Sequence, residues 1–359
     1  MDQLRNQKDL ASDHLSKAWP AIMDQAAGVN ISGEIQNVIL CGCGDSHHAA
    51  LAVSLGFSAL AHVHCQATHS MYVARYLLPE LGEQAQHTLV ISISASGEVA
   101  RTIEALELAE YVGANTLAFT GNAGGTLART AQKAIVFAGP QLPHGPGLIS
   151  YLSSLLMGYA LIYRMAEAPI QREMDRAMQM LFTDLETWIE NRWDSGVRFA
   201  EEGEDGACVF LGSGPAYASA LFGAAKLLEA SGEAAWGQDV EEWAHLEYFG
   251  ARADMRTWLL SAGGRSLSRE LEVRAAAEAI GRKWHEDRWQ QLETDFGELN
   301  EILAPLVLWA GPCGYAWRRS AILGETPFRN FSGGRDRAEG GGPSRIRSSE
   351  RSVEFGGTG

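Results

Sequence analysis

Two apolar runs in this chain end in the same way. Val38-Ile-Leu-Cys-Gly-Cys-Gly44 and Cys208-Val-Phe-Leu-Gly-Ser-Gly214 both close on Gly-x-Gly and lead into an alanine-rich stretch. A short apolar run bounded by a glycine turn reads as a buried strand, and the stretch behind it as a helix. A second pair follows in the same order: Ser92-Ile-Ser-Ala-Ser-Gly97 lines up with Leu259-Leu-Ser-Ala-Gly-Gly264. Chance could give one matching strand–turn–helix unit. Two in the same order point to a duplicated domain.

The rest of the pattern fits that frame. Strands are expected at Asn37–Cys41, His62–Gln66, Leu89–Ile93, Thr116–Thr120 and Ala134–Phe137. Helices are expected at residues 8–27 with a break at Pro20, at Asp45–Leu60, Tyr72–Leu77 (stopped by Pro79), Glu98–Val112 and Thr126–Ala131. Strands that alternate with helices give a parallel, doubly wound α/β sheet of the flavodoxin-like kind. Ile149–Arg192 reads as a long helical bridge with a kink at Pro169, and the acidic stretch Glu201–Asp205 as a linker. The expected organisation is a helical segment over 1–36, a first domain with its bridge over 37–192, a second domain over 206–330 and a tail over 331–359. After Leu308 the sequence turns rich in Gly and Arg and poor in large apolar residues, which cannot bury a core of their own.

A chain of 359 residues has room for about two domains on a rule of ~150 residues each. Its formal charge of -15 argues against sequence-independent nucleic-acid binding and against adhesion to an anionic membrane. It leaves room for a locally positive site that takes an anion. No signal pattern opens the chain and no run of ~18 apolar residues is expected to span a membrane. The five cysteines show no CxxC spacing, so neither a disulfide framework nor a zinc site is expected, and a reduced, cytoplasmic setting fits. Cys41 and Cys43 read as buried or half-buried thiols.

The first copy carries the chemistry. Its apolar run stops at Ser94-Ala95-Ser96-Gly97, just before a helix start at Glu98. Hydroxyls and free N–H groups at the carboxyl end of a parallel strand make a pocket for an anion. Gly44, Asp45 and Ser46 follow the other turn, with Asp45 placed to cap the helix. In the second copy the matching positions are Ala216 and Ser261-Ala-Gly263, so most hydroxyl donors are gone. A single anion site would lie in the first copy. His47, His48, His62, His64 and His69 match no standard metal spacing, and no metal is expected. Gly42-Cys-Gly44 lacks the third glycine of a dinucleotide fingerprint, so NAD is not expected either.

These motifs resemble the tandem sugar-isomerase (SIS) domain proteins over roughly residues 37–330. That family includes phosphosugar aldose–ketose isomerases, the isomerase half of glucosamine-6-phosphate synthase, and deaminases and deglycases of the same fold. Gly44-Asp-Ser46-His-His-Ala-Ala-Leu51 and Ser94-Ala-Ser96-Gly-Glu98 match its first signature, whose serines hold the sugar phosphate. Lys226-Leu-Leu-Glu229, with His245 16 residues beyond the Glu, matches its second. The resemblance implies two tandem doubly wound domains, a homodimer, no cofactor and a small anionic sugar as partner. It implies Glu229 as the base that carries a proton between C2 and C1 through an enediol. His245 then opens the sugar ring, and Lys226 orients hydroxyls or offsets the enediolate charge.

The sequence also departs from the family. Val99 and Ala100 stand where a further hydroxyl is usual, leaving Thr102 as the next one. Ala95 replaces a glutamine, Leu246-Glu247 replaces Gly-Pro, and a lysine expected after Arg329-Asn330 aligns with Gly333. Phosphate and another anion such as sulfonate both stay open. His48 and Arg329 are possible further sugar contacts. Isomerisation is the leading expectation. Loss of an amine by deamination or deglycation, and sugar-phosphate sensing without turnover, are the alternatives.

Overall fold

The two Gly-x-Gly runs become inner strands of two separate parallel sheets. The computed structural model describes residues 2–29, 34–140, 142, 145–202, 207–250, 255–289, 292–294 and 296–326. Arg329 and the tail over 331–359 lie outside these. The chain divides into two compact units. One takes the described residues within His14–Pro140 and Ile149–Glu167, the other those within Met1–Asp13, Gln141–Leu148 and Ala168–Asn330.

The first unit holds a five-stranded sheet. In chain order its elements are α1 (Gln3–Ala27, from His14 on), β1 (Asn37–Gly42), α2 (Asp45–Leu60), β2 (His64–His69), α3 (Ser70–Tyr72), β3 (Thr88–Ile93), α4 (Ala100–Tyr111), β4 (Asn115–Thr120), α5 (Thr126–Thr130), β5 (Lys133–Val136) and α6 (Leu148–Met165, from Ile149 on). The strand order is β2-β1-β3-β4-β5, and every pairing is parallel. The order reverses between β1 and β3, where ligands of such sheets bind. β3 and β4 are buried at every residue, as strands covered on both faces must be.

The second unit repeats the scheme with four strands. α7 (Ala168–Glu201) leads to β6 (Cys208–Gly212), α8 (Pro215–Ser231), β7 (Ala235–Asp239), α9 (Val240–His245), β8 (Arg256–Ser261), α10 (Leu267–Ala279), β9 (Lys283–Arg288), α11 (Glu298–Leu303), α12 (Pro305–Leu308) and α13 (Ala310–Ile322). Its order is β7-β6-β8-β9, again all parallel. The reversal falls between β6 and β8, at the corresponding place. The expected α/β class with two doubly wound parallel sheets therefore holds.

Several local expectations give way to packing. α1 runs through Pro20 without a break, because Leu15, Ile22 and Ala26 on one face are buried. β2 starts at His64 rather than at 62: His62 has φ 54°, and the chain turns there before it can extend. The expected Tyr72–Leu77 helix is a series of short turns from Ser70 to Glu80, with Pro79 inside the last. α4 begins at Ala100, not Glu98. Pro169 does not kink a bridge. It sits in the first turn of α7, where a missing N–H costs nothing. α6 from Ile149 on belongs with the first sheet and α7 with the second, so the bridge placed within 37–192 is shared between the units.

Two further expectations are corrected. α6 is long and apolar enough to cross a membrane by length and composition, although no such run was expected; 78% of it is buried, as in a core helix. The glycines after Leu308 do not mark loose chain as far as 322. Nearly all of α13 up to Ala316 is buried, and it packs on α7. A Cβ on Gly314 would stand 3.0 Å from Trp193 Cα, and one on Gly196 2.8 Å from the Tyr315 nitrogen. These glycines let two helix backbones approach each other closely.

Candidate functional site

Gly44 caps α2 with φ 57° and ψ −128°, a conformation costly for any residue with a Cβ. Asp45 is thus the first helical residue and not the cap. Its carboxylate lies 3.8 Å from His48 Nδ1. Ser46 packs on the end of β1: a Cβ on Gly42 would be 2.7 Å from Ser46 Cβ. His48 is half-buried. His47 is buried, with its ring centroid 3.8 Å from that of His69. Burial first, then His69 and His48, push its imidazole down to about 4, so it is neutral at neutral pH. Cys41 is buried and its thiol is pushed up to about 11, mainly by burial, while Cys43 is exposed rather than half-buried.

The loop after β3 is a tight turn. The buried Ser94 donates its N–H to Phe119 O at 3.0 Å, and its Oγ accepts the Gly97 N–H at 3.2 Å. Ala95 O accepts the Gly121 N–H at 3.0 Å. Ser96 is exposed, and its Oγ accepts the Glu98 N–H at 3.3 Å. Gly97 takes φ 69° at the corner. A serine hydroxyl that accepts an N–H still has its own proton to give. The loop can therefore offer O–H donors to an anion at the reversal of strand order.

Two expected members do other work. Glu98 does not start α4: its carboxylate receives the Thr126 N–H and O–H, both at 2.8 Å, and ties this loop to the start of α5. Thr102 is buried, with its Oγ1 3.0 Å from Ser70 Oγ and 3.8 Å from Cys43 Sγ. The sequence reading passed over Asn122, whose Nδ2 donates to Ser96 O at 3.0 Å. No local motif signals it, because it comes from the loop after β4.

The second unit carries the Lys/Glu/His set. Lys226 is fully buried on α8. Its Nζ donates to Glu229 Oε2 at 2.6 Å and lies 4.9 Å from the Phe222 ring centre. Glu229 is 35% exposed. Both stand near the carboxyl end of α8, roughly 20 Å along the helix from the Gly214 turn at 1.5 Å per residue. His245 is not part of this pair. It is 69% exposed at the end of α9, with Nε2 3.0 Å from Glu241 Oε1. Arg269 Nε donates to Glu241 at 2.7 Å, and these two partners hold the Glu241 carboxyl below its usual range. Asp239 caps α9 by accepting the Glu241 N–H. Among the described residues no three His, Cys, Asp or Glu side chains converge as a metal site requires.

Comparison with known proteins fits this geometry. Residues 34–164, spanning the first sheet and most of α6, match the SIS domain. The glutamine–fructose-6-phosphate aminotransferase (isomerizing) of Methanothermobacter thermautotrophicus is 30% identical over 200 residues, 55% of this chain and 32% of that protein. The Halobacterium salinarum protein of the same name is 36% identical over 112 residues, 30% of this chain and 18% of its own length. The chain thus spans about a third or less of these curated relatives. Among solved structures, the C-terminal domain of glucosamine-fructose-6-phosphate aminotransferase from Francisella tularensis superposes with a TM-score of 0.69 at 17% identity, covering 87% of this chain and 95% of that one. Glucosamine-6-phosphate deaminase from Thermotoga maritima gives 0.69 at 16% identity, covering 91% and 97%. Tagatose-6-phosphate ketose/aldose isomerase from Escherichia coli gives 0.61 at 17%, covering 90% and 93%. At these identities the structures share the fold, and they share it across both sheets. The match to the SIS domain is confined to the region of the first sheet and its helices, and the likeness of the whole chain to these structures is one of fold.

Proposed function

We propose that this protein is an aldose–ketose isomerase for a hexose bearing an anion at C6, most simply a phosphate. The observation that carries this reading is the Ser94–Gly97 loop of a SIS domain, set beside the Gly44 turn where the strand order reverses. The names of the sequence relatives, which include fructose 6-phosphate, support the substrate class. Ser46, Ser94, Ser96 and the backbone near Gly97 hold the anion. Glu229 removes the proton from C2 of the open-chain aldose, and the electrons move to the C1 carbonyl to give an enediolate. A proton passes from O2 to O1, and return of the first proton to C1 leaves the C2 carbonyl of the ketose. The buried Lys226 ammonium offsets the charge on the enediolate oxygen. His245 opens the ring as acid and base.

The protein acts as a homodimer without a bound cofactor, in a reducing cytoplasm and with neither nucleic acid nor membrane as partner. The exposed Leu246, Tyr248 and Phe249 beside His245 support the dimer, and five cysteines without CxxC spacing support the compartment. Incubation with hexose 6-phosphates and a 6-sulfonated hexose in deuterated water tests the reading. Deuterium should enter at C1 or C2 of one sugar, and Glu229→Gln should lower the rate at least ~100-fold. Full activity in Glu229→Gln would sink the mechanism. The fold shared with glucosamine-6-phosphate deaminase keeps one second reading in view, loss of an amine, which release of ammonia from an amino-sugar phosphate would establish.

A further inference from the structure

The carboxyl edge of the second sheet repeats the first sheet's turn, but a side chain of the protein itself sits in it. Gly214 caps α8 with φ 55° and ψ −132°, against 57° and −128° at Gly44. The loop after β8 stands across the strand-order reversal from it. Glu301, on α11, reaches between the two. It is 4% exposed. A Cβ on Gly214 would lie 3.4 Å from its Oε1, and one on Gly264 2.6 Å from its Oε2. Arg265 gives this carboxylate a backbone N–H, and its Nε stands 3.7 Å from Oε2. Burial pushes the Glu301 carboxyl up, and Arg265 pulls it down.

The hydroxyls of the same loop are also engaged. Ser261 Oγ and Ser266 Oγ both donate to the carboxylate of Glu270, which is 1% exposed. A helix N-terminus, a guanidinium and glycine backbone are what an oxyanion seeks. Here a buried carboxylate of the chain already meets them. A side chain held by the fold needs no association entropy, so it outcompetes a free anion unless that anion binds tightly.

We propose that Glu301 is the built-in ligand of a second oxyanion cradle, so that the wild-type chain takes one external anion and a chain without this carboxylate takes two. The cradle at Gly214 and Gly264 then accepts a small oxyanion, with formate and inorganic phosphate as probes. The count of one external anion rests on the anion-binding reading of the first loop, whereas the occupancy of the second cradle concerns the other sheet and is read without turnover.

Thermal unfolding of wild type, Glu301→Ala and Glu301→Gln tests it, in sodium formate against sodium chloride at equal ionic strength. Glu301→Ala should melt several degrees lower. Formate should raise its Tm saturably, by ~3 °C at ten times its dissociation constant. Wild type and Glu301→Gln, whose side chains fill the space, should lack this added rise and keep only the first-loop response that all three proteins share. An equal formate response in all three proteins, or none in Glu301→Ala, overturns the proposal. If Glu301→Ala does not fold, phosphate stoichiometry on the wild type decides. One phosphate per chain, abolished by Ser94→Ala with Ser96→Ala, supports the proposal, and two per chain overturn it.

Discussion

Gly44 and Gly214 share their backbone angles to within a few degrees, yet the loops facing them use hydroxyls in opposite senses. In the first loop Ser94 and Ser96 accept backbone N–H groups and keep their own protons to give. In the second, Ser261 accepts the Gly263 N–H and also donates to Glu270, and Ser266 donates to the same carboxylate. The two edges keep the same turn at a helix start. On our proposals the negative charge comes from outside at the first edge and from Glu301 at the second, where Glu270 takes the hydroxyls. What separates the two edges is donor and acceptor accounting, since the topology is the same.

The sharpest way to break this contrast is to remove the hydroxyls from each loop in turn. Ser94→Ala with Ser96→Ala should lower kcat/KM by at least ~100-fold, since hydrogen bonds to a charged group contribute ~1.5–3 kcal/mol each. The loss should fall mainly on KM, and phosphate protection against unfolding should vanish with it. Ser261→Ala with Ser266→Ala should leave both measurements unchanged. Equal kinetic losses in the two pairs would show that the second loop also touches substrate.

The second test removes the internal acid. Glu270→Ala leaves two hydroxyls without their acceptor in a buried loop and should cost about 3 kcal/mol of stability by urea unfolding. Anion binding at the first loop should survive. Loss of that binding would mean that the edges are not independent.

Much of this was readable from the sequence, and the limits have a physical pattern. α2 spans Asp45–Leu60 as expected, because its start follows a glycine turn and its body repeats small apolar residues. Buried strands read well because an apolar run between glycine turns has few other uses. What failed depended on residues far away in sequence. Glu98 looked like a first helical residue, yet its partner is Thr126 on another element. Gly311 and Gly314 looked like loose chain, yet they meet α7. Glu301 carries no motif at all, since its partners Gly214 and Gly264 lie on two earlier loops. The aligned glycines mislead in one detail. Gly97 takes the positive φ in the first loop, but in the second it is Gly263, one position before the aligned Gly264.

The pH response should also separate the two units. His47 in the first is pushed from 6.5 down to about 4 by burial and by its histidine neighbours. A depressed imidazole contributes stability that is complete above about 6.5 and is lost as pH falls toward 4. In the second unit His285 is likewise held at about 4, mainly by burial, but burial pushes Asp287 up to about 6. The sign for Asp287 is opposite: its fold prefers the proton, so acidification from 6 toward 4 adds stability there and offsets His285. Lowering pH from 7 to 4.5 should therefore weaken the first unit by about 2 kcal/mol and the second by less. Hydrogen exchange resolved by unit would read this difference, and His47→Asn should flatten it in the first unit only.

The smallest effect isolates backbone from chemistry. Gly97 and Gly263 hold φ 69° and 64°, where a Cβ costs about 1 kcal/mol. Gly97→Ala and Gly263→Ala should thus lose similar stability by urea unfolding, since the penalty depends on the turn and not on what the loop binds. Their functional cost should differ. At Gly97 a Cβ would come 3.1 Å from Thr120 Oγ1, and the turn it distorts carries Ser94 and Ser96, so KM should rise several-fold. At Gly263 the same strain falls on a loop whose hydroxyls give their protons to Glu270, and KM should not move. A rise in KM for Gly263→Ala would place the second loop in the substrate's reach and undo the division of labour between the two edges.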